Sequence, residues 1–422
     1  GQTWWPYMRE FTTYLARCSY MLERGRSVSD VLWYLGDEIS HKPDQEFAFP
    51  AGYKYDYCNP DVLLNRLSVK NGMVVTPEGL EYRFIWIPEN KRMKPETLER
   101  LYALIEQGAT VVASAPRSIA TLVGGEQAQQ RFDKAVEAIW GNAEDGKITA
   151  VGQGRLLSGV TIEQALQILD VKQDVRGNVR WLHRQVKGAD WYFVTPEKRA
   201  SFSGEVEFRA EGAAELWNPV TGETTPLNVE CRGEYAVVNL DMPQAGSCFV
   251  VFSHKGKQQS ADTPQYHTAQ AIDGEWNLQF PDGWGAPAEM KITELKPWCE
   301  LPLTDEGKAF SGSVTYSTTF ELQGDYDNLL LDLGDVDMIA EVTVNGHTLR
   351  PMWCQPYAAD IAEYVTQGEN TLQVKVTSTW FNRLVFDASQ PEAERKTWTI
   401  NGPKATAKFR ATGLMGPVTL KY

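Results

Sequence analysis

The amino-acid sequence predicts a multidomain protein, an α/β domain followed by two β-sandwiches. Three observations carry this expectation. Up to about residue 196, helical spacing of apolar residues alternates with short strands that are apolar on both faces. After Pro196 the period becomes two residues, the mark of half-buried strands. A polar stretch, 254–266 (HKGKQQSADTPQY), then interrupts the second half as a linker would. At 422 residues the chain exceeds one ordinary core, so two to three domains are expected.

Taken in order, Trp4, Met8, Phe11, Leu15, Cys18 and Leu22 recur every three or four residues and form one helical face, which Gly25 ends. Ser29 to Leu35 (SDVLWYL) reads as a buried strand of a parallel sheet. Tyr53 to Leu67 is a loop running into a short helix that starts at Pro60-Asp61. Tyr82 to Ile87 (YRFIWI) is the second strand, Pro95 to Gln107 an amphipathic helix, and Thr110 to Ala113 the third strand. Helices fit 126–140 and 161–169, and Trp191 to Val194 fits a last strand of an α/β layer spanning residues 1–196.

Residues 197–255 then read as a small β-sandwich, with strands near 202–209, 235–240 and 247–253 and a turn at Trp217-Asn218-Pro219-Val220-Thr221-Gly222. Residues 256–270 are the linker, and 271–422 a larger sandwich of jelly-roll type. In that module Ser313–Leu322 and Thr371–Val376 alternate, and Ala340–Val344 meets Asn345-Gly346, the strongest short hairpin signal.

Composition narrows the function. The 55 acidic against 41 basic residues give a net charge of −14, which disfavours nucleic acid and anionic membrane surfaces. No apolar run reaches the length of a membrane span, and Gly1-Gln2-Thr3-Trp4-Trp5 lacks the features of a signal peptide. Such a start reads as that of a chain cut from something longer. Six scattered cysteines (Cys18, Cys58, Cys231, Cys248, Cys299, Cys354) show neither zinc-ligand spacing nor a disulfide framework, although Cys231 and Cys248 fall on one sandwich and could pair. The 14 tryptophans point to thick sandwich cores, sugar-stacking platforms, or both.

Catalytic motifs are missing where the layer would hold them. A flavodoxin-like α/β layer can host a glutamine amidotransferase, which needs a Cys on a sharp turn after a strand; the third strand instead runs into Ser114-Ala115. Gly152-Gln153-Gly154 lacks the third glycine of a dinucleotide site, and His183 reads as a satisfied strand residue. Asp37, Glu38 and Asp56 follow strands but read as solvated loop acids. The layer also has too few strands for the eight-stranded barrel that usually carries a glycosidase carboxylate pair. Asp332, Asp335 and Asp337 lack calcium-loop spacing and read as a strand-turn-strand cluster. Neither metal nor cofactor is expected.

The final sandwich offers sugar recognition instead. Trp353, Trp380 and Trp398 fall near strand ends, accompanied by Asn382, Arg383 and Asp387, and sugars are held by aromatic faces with planar hydrogen-bonding groups. The alternative is that these tryptophans plug the ends of the core. Trp380 and Asn382 share a side only if their strand continues, and Arg383 joins them only if it ends near Phe381.

With these residues in order, the chain resembles the large bacterial α-L-rhamnosidases of glycoside hydrolase family 106. WWPYMREFTTYLARCSYMLERGRSVSDVLWYLGDE resembles the segment where their catalytic barrel ends. Tyr53 to Asp61 resembles a loop of their amidotransferase-like domain, a type that also serves as the trimerisation domain of some β-galactosidases. RQVKGADWYFVTP with Ala214 to Pro219 is similar to their passage into the small sandwich. VTYSTTFEL, LLLDLGDVDMIAEVTVNG, GENTLQVKVTSTWFNRL and GLMGPVTL resemble the sugar-binding, galactose-binding-like sandwich of family 2. The resemblance implies an accessory C-terminal part of an exported, periplasmic or extracellular hydrolase of plant or microbial polysaccharide. It places the catalytic barrel upstream, so that no catalytic residue is carried over to this chain, and the first helix is expected to bridge barrel and α/β domain. The alternative is a free-standing carbohydrate-binding protein.

Overall fold

The computed structural model describes residues 1–38, 47–88, 92–261 and 266–422. They belong to two compact units, Ser19–Ala261 and a second made of Gly1–Cys18 with Asp262–Tyr422, so the boundary falls within helix α1, Met8–Glu23. Most of the regular structure is β-sheet.

The larger unit opens with a six-stranded sheet. Strand β1 is Val31–Tyr34, β2 Tyr55–Cys58, β3 Phe84–Ile87 and β4 Thr110–Ala113; β5 (Ile148–Val151) and β6 (Gly154–Leu157) form a hairpin. Gly152-Gln153 is the turn of that hairpin. Across the sheet the order is β5-β6-β4-β3-β1-β2, and all neighbours except β5 and β6 are parallel. In chain order the five parallel strands therefore lie 2-1-3-4-5.

Alternate residues of these strands enter two different cores. Leu32, Tyr34, Ile85, Ile87, Val111 and Leu156 pack under helices α2 (Pro60–Asn65), α3 (Pro95–Glu106) and α4 (Gly125–Trp140). Val31, Trp33, Phe84, Trp86, Val112 and Leu157 face helix α5, Ile162–Ile168. Each fully buried large apolar side chain contributes roughly 1.5–3 kcal/mol, which is why strands with no polar face mark a sheet covered on both sides. Asn59 caps α2 by accepting from Val62 N, and Thr161 with Gln164 forms a capping box on α5.

The first sandwich begins earlier than residue 197. Strands β7 (Val179–Val186) and β8 (Ala189–Pro196) pair antiparallel with each other, and β8 pairs with β12 (Cys248–Ser253), not with the parallel sheet. Their sheet also holds Arg26–Ser27, β10 (Ala213–Trp217) and Thr224–Leu227. Facing it are β9 (Phe202–Phe208) and β11 (Tyr235–Met242) between two short edge strands, Val175–Arg176 and Glu230–Arg232. The reason lies in the strand itself: Asp190, Tyr192, Val194 and Pro196 are buried while their neighbours are half-buried, the two-residue period of a sandwich strand. The α/β layer thus ends near α5. All six cysteines are free; burial pushes the Cys248 thiol up to about 12, whereas Cys231 lies exposed on an edge strand of the opposite sheet.

The smaller unit contains a second two-sheet sandwich. One sheet runs Glu289–Ile292, β13 (Trp276–Gln279), β14 (Ser313–Leu322), β16 (Gly368–Thr377), β15 (Ile339–Val344), His347–Thr348; β14 and β16 pair over ten residues. The facing sheet is Ala269–Ala271, Thr419–Lys421, Leu330–Asp332, Ala358–Asp360. Between them lies one core that includes Trp276, Trp298, Tyr316, Phe310 and Leu420. Asn345 and Gly346 both have positive φ, 48° and 84°, as the tight hairpin after β15 requires. Of the expected linker 256–270, residues 262–265 lie outside the described residues.

Candidate functional site

Open α/β sheets bind ligands beyond the C-terminal strand ends, where the strand order reverses, here between β1 and β3. Among the described residues, the acid that follows β1 there is held by the chain's own hydrogen bonds. Asp37, three residues past β1, accepts from Tyr34 Oη (2.6 Å), Thr97 Oγ1 (2.6 Å) and Lys94 N (2.7 Å), which ties it to the start of α3. Glu38 pairs with Arg92, whereas Asp56 lies inside β2, level with Leu32 of β1, and accepts from Tyr82 Oη at 2.9 Å. The Ala113 carbonyl just before Ser114 accepts from Trp140 Nε1 at 3.0 Å. Asp37, Glu38 and Asp56 are thus bound within the chain and do not form a carboxylate pair facing each other across a cleft.

In the smaller unit β16 ends at Thr377, and the chain turns at Trp380 into helix α6, Phe381–Ala388. A helix, not a continuing strand, therefore sets where the expected sugar-binding residues go. Asn382 and Arg383 are 0% and 1% exposed, so neither side chain reaches solvent. Arg383 Nη2 lies 2.8 Å from Asp387 Oδ1 and Nη1 donates to Glu306 Oε1 at 2.8 Å. Lys396 Nζ reaches the same Glu306 oxygen at 2.7 Å, and the two cations hold its carboxyl below the usual range, Lys396 foremost. Burial acts to raise Asp387, but hydrogen bonds from Arg383 and Thr397 outweigh it and the carboxyl stays low. The Trp284 ring stacks on this cluster, 5.3 Å from the Arg383 guanidinium carbon and 5.3 Å from the Trp380 ring.

The three tryptophans go to different places. Trp380 is half-buried and donates through Nε1 to Gly1 O at 2.9 Å. Trp353 is half-buried between the edges of Phe11 and Tyr14, each 5.5 Å away, while neighbouring Arg350 pairs with Glu10. Trp398 is 77% exposed; the segment that carries it is pinned to α6 by Thr397, whose N–H and hydroxyl both donate to Asp387 Oδ2 at 2.6 Å. Trp4 and Met8 are half-buried, whereas Trp5 and Phe11 are exposed.

Beside these residues the structure places Arg410, which the sequence reading passes over, and Asp337, which it groups with Asp332 and Asp335. Asn382 grips the backbone of Arg410: its Nδ2 donates to the Arg410 carbonyl (2.9 Å) and its Oδ1 accepts the Arg410 N–H (2.8 Å). The Arg410 guanidinium carbon lies 3.7 Å from the Phe381 ring centre, and the residue is exposed. Asp337 lies close enough to feel its charge. Its half-buried carboxyl has no hydrogen-bond or ion-pair partner among the described residues, and burial pushes it up to about 6, against the pull of Arg410 and with help from Asp335. The next residue, Met338, holds φ of 74°, uncommon for a residue with a side chain, and its carbonyl accepts from Tyr357 Oη at 2.8 Å. Ala340 pairs with Met352, so the Trp353 segment runs alongside Met338.

The three aspartates of the GDVD stretch thus diverge in role. Asp332 accepts from Gly334 N and Lys421 Nζ, Asp335 is exposed, and Asp337 is half-buried and unpaired. Among the described residues no three His, Cys, Asp or Glu side chains converge as metal ligands would. A carboxyl poised near pH 6 can donate to or accept from a hydroxyl, and a guanidinium supplies fixed planar donors. With aromatic faces nearby, this is chemistry suited to a polyhydroxylated ring.

Comparison with known proteins finds two families along the chain. The family model of the α-L-rhamnosidases, glycoside hydrolase family 106, matches residues 1–231, and that of the galactose-binding-like domain of family 2 glycosyl hydrolases matches residues 308–412. The structure of a rhamnosidase from Novosphingobium sp. PP1Y superposes on 100% of the chain with a TM-score of 0.88 and 32% identity, using 41% of the rhamnosidase. A Formosa agariphila protein that carries a β-glucuronidase name is 29% identical over 99% of the chain and 57% of its own length. The chain therefore spans about half the length of these longer relatives. With more than half of its residues under one family model, the chain belongs to the α-L-rhamnosidase family, glycoside hydrolase family 106.

Proposed function

We propose that the chain is the accessory, carbohydrate-binding part of a glycoside hydrolase that cleaves α-L-rhamnosides on plant or microbial polysaccharide. The observation that carries the reading is in the final sandwich, where Asp337 has no partner among the described residues and Arg410 is presented on the Asn382 amide with its guanidinium against the Phe381 ring. In this reading Trp353, Trp380 and Trp398 supply aromatic faces, and Asn382 and Arg383 set the frame that positions Arg410 and the Trp398 segment. The α/β domain, whose 2-1-3-4-5 strand order supports a flavodoxin-like, amidotransferase-like relationship, serves as architecture in this reading, with Asp37 beside its switch point engaged in the chain's own hydrogen bonds. The catalytic carboxylates belong to a barrel elsewhere in the parent, which is exported to the periplasm or beyond the cell. Among the described residues no helix is long and apolar enough to cross a membrane.

Assaying the chain and its full-length parent side by side on aryl α-L-rhamnoside and aryl β-glucuronide tests the reading. The parent is expected to turn over the rhamnoside and the chain alone neither substrate. Turnover by the chain that is abolished by mutating one of its own Asp or Glu residues would overturn it. Turnover of the glucuronide alone by the parent would transfer the reading to uronides, the chemistry in the name of the Formosa relative.

A further inference from the structure

Within Ser19–Ala261 a line of charges of alternating sign runs from the parallel sheet into the first sandwich. Asp30, just before β1, accepts from Arg83 Nε at 2.9 Å and from Arg209 Nη2 at 3.0 Å. Arg209, just past β9, lies 3.6 Å from Asp174, in the segment that joins α5 to the sandwich. Asp174 faces His183 on β7, His183 faces Asp190 on β8, and Asp190 Oδ2 lies 2.6 Å from His254 Nε2. His183, Asp174 and Asp190 are all nearly sealed from solvent, at 5%, 2% and 6% exposure.

The protonation of His183 follows from these contacts. Its Nδ1 is 3.0 and 3.1 Å from the two oxygens of Asp174, and its Nε2 is 3.0 Å from Asp190 Oδ1. Both carboxylates are already surrounded by donors. Asp174 also accepts from Trp181 Nε1 at 3.1 Å and Tyr192 Oη at 3.3 Å, and Asp190 from Gln185 Nε2 at 3.1 Å. Burial works against charge on Asp190, but the hydrogen bonds from His183, His254 and Gln185 outweigh it and hold that carboxyl below the usual range; a carboxylate oxygen only accepts, so the contacts on its two sides call for hydrogen on both ring nitrogens. The further charge beside Asp174 is Lys54, with Nζ 4.4 Å from the Trp181 ring centre; burial, helped by Arg180, holds its ammonium below the usual lysine range against the pull of Asp174. Tyr192 stacks flat on the imidazole at 4.0 Å.

We infer that His183 is a buried imidazolium lock between the α/β domain and the first sandwich, and that removing its proton loosens the Asp174 segment from β7. Deprotonation would leave a nitrogen lone pair facing a carboxylate and a net negative charge in a dry site. Burial opposes the charge on His183, but the two aspartates outweigh it and hold the proton above the usual histidine range. The lock's contribution is therefore full below about pH 6.5, the ordinary histidine value, and is lost as pH rises through the raised folded one.

The test is nitrogen-detected NMR of the His183 ring from pH 6 to 10, with amide hydrogen exchange of residues 172–186 measured on the same protein. Both nitrogens are expected to be protonated at pH 7.5, and loss of one proton in alkali should coincide with an at least tenfold drop in the protection of the Asp174 and Val175 amides, over and above the base-catalysed rise in intrinsic exchange. Asp190→Asn, which keeps the ring, should move that step down by at least one pH unit, and His183→Gln should abolish it. A ring that is neutral at pH 7.5, or one that loses its proton without any change in protection, would overturn the inference. Neither outcome bears on sugar binding or hydrolysis.

Discussion

Asn382 and Arg410 are joined by both ends of one buried amide, the side chain donating to the Arg410 carbonyl at 2.9 Å and accepting its N–H at 2.8 Å. A residue expected to touch sugar thereby becomes one that positions another. Asn382→Ala leaves the Arg410 backbone groups unpaired beside a fully buried site, at a cost of about 2–3 kcal/mol. Urea unfolding of the final sandwich should show that loss, while Asn382→Asp, which keeps only the acceptor, should fall in between.

Arg383 and Asp387 form a nearly sealed ion pair, each 1% exposed. Removing one partner of such a pair typically costs about 3–5 kcal/mol, because the other is left as an uncompensated charge. Arg383→Met should therefore be severe, and Arg383→Met with Asp387→Leu should recover much of the stability. Denaturant midpoints of the two singles and the double close the cycle; strictly additive effects would contradict coupling through the pair.

Asp337 predicts a pH signature. Its folded carboxyl sits near 6, above the ordinary aspartate value, so the folded state binds the proton more tightly. The group is neutral toward stability below about pH 4, where both states are protonated, and increasingly unfavourable as pH rises to and beyond 6. Asp337→Asn should thus leave stability unchanged in acid and raise it by about 1–3 kcal/mol at pH 8, while weakening sugar binding. Paired melts at pH 4 and pH 8 measure the difference; equal gains at both values would contradict the raised carboxyl.

Trp398 separates binding from folding. At 77% exposure it is largely solvated, and its removal should change stability by no more than about 0.5 kcal/mol. If it stacks on sugar, Trp398→Ala should weaken L-rhamnose binding at least threefold in the same protein. An unchanged dissociation constant would remove it from the site.

Much of the scaffold was legible from period alone. VLWY, FIWI and TVVA are apolar on both faces and lie in the parallel sheet, and Asn345-Gly346 makes its hairpin. The domain border was read too late because the run WYFV hides a wider alternation: Asp190 and Pro196 point inward with Tyr192 and Val194. The site was less legible. A buried Asn or Arg looks like a surface residue in sequence, since its burial depends on partners as distant as Glu306 and Arg410. Asp337 was grouped with Asp332 and Asp335 because spacing distinguishes none of them; only desolvation and the missing partner do.

The measurement that tests the sugar-binding account most directly is a titration of the chain with L-rhamnose, followed by amide and indole NMR shifts. Binding in the millimolar range, roughly −4 kcal/mol, is expected. The largest shifts should fall at Asp337, Arg410 and the Trp353, Trp380 and Trp398 indoles, and should vanish in Asp337→Asn combined with Arg410→Met. No shift at saturating sugar, or shifts confined to the ends of β1 and β3, would contradict it.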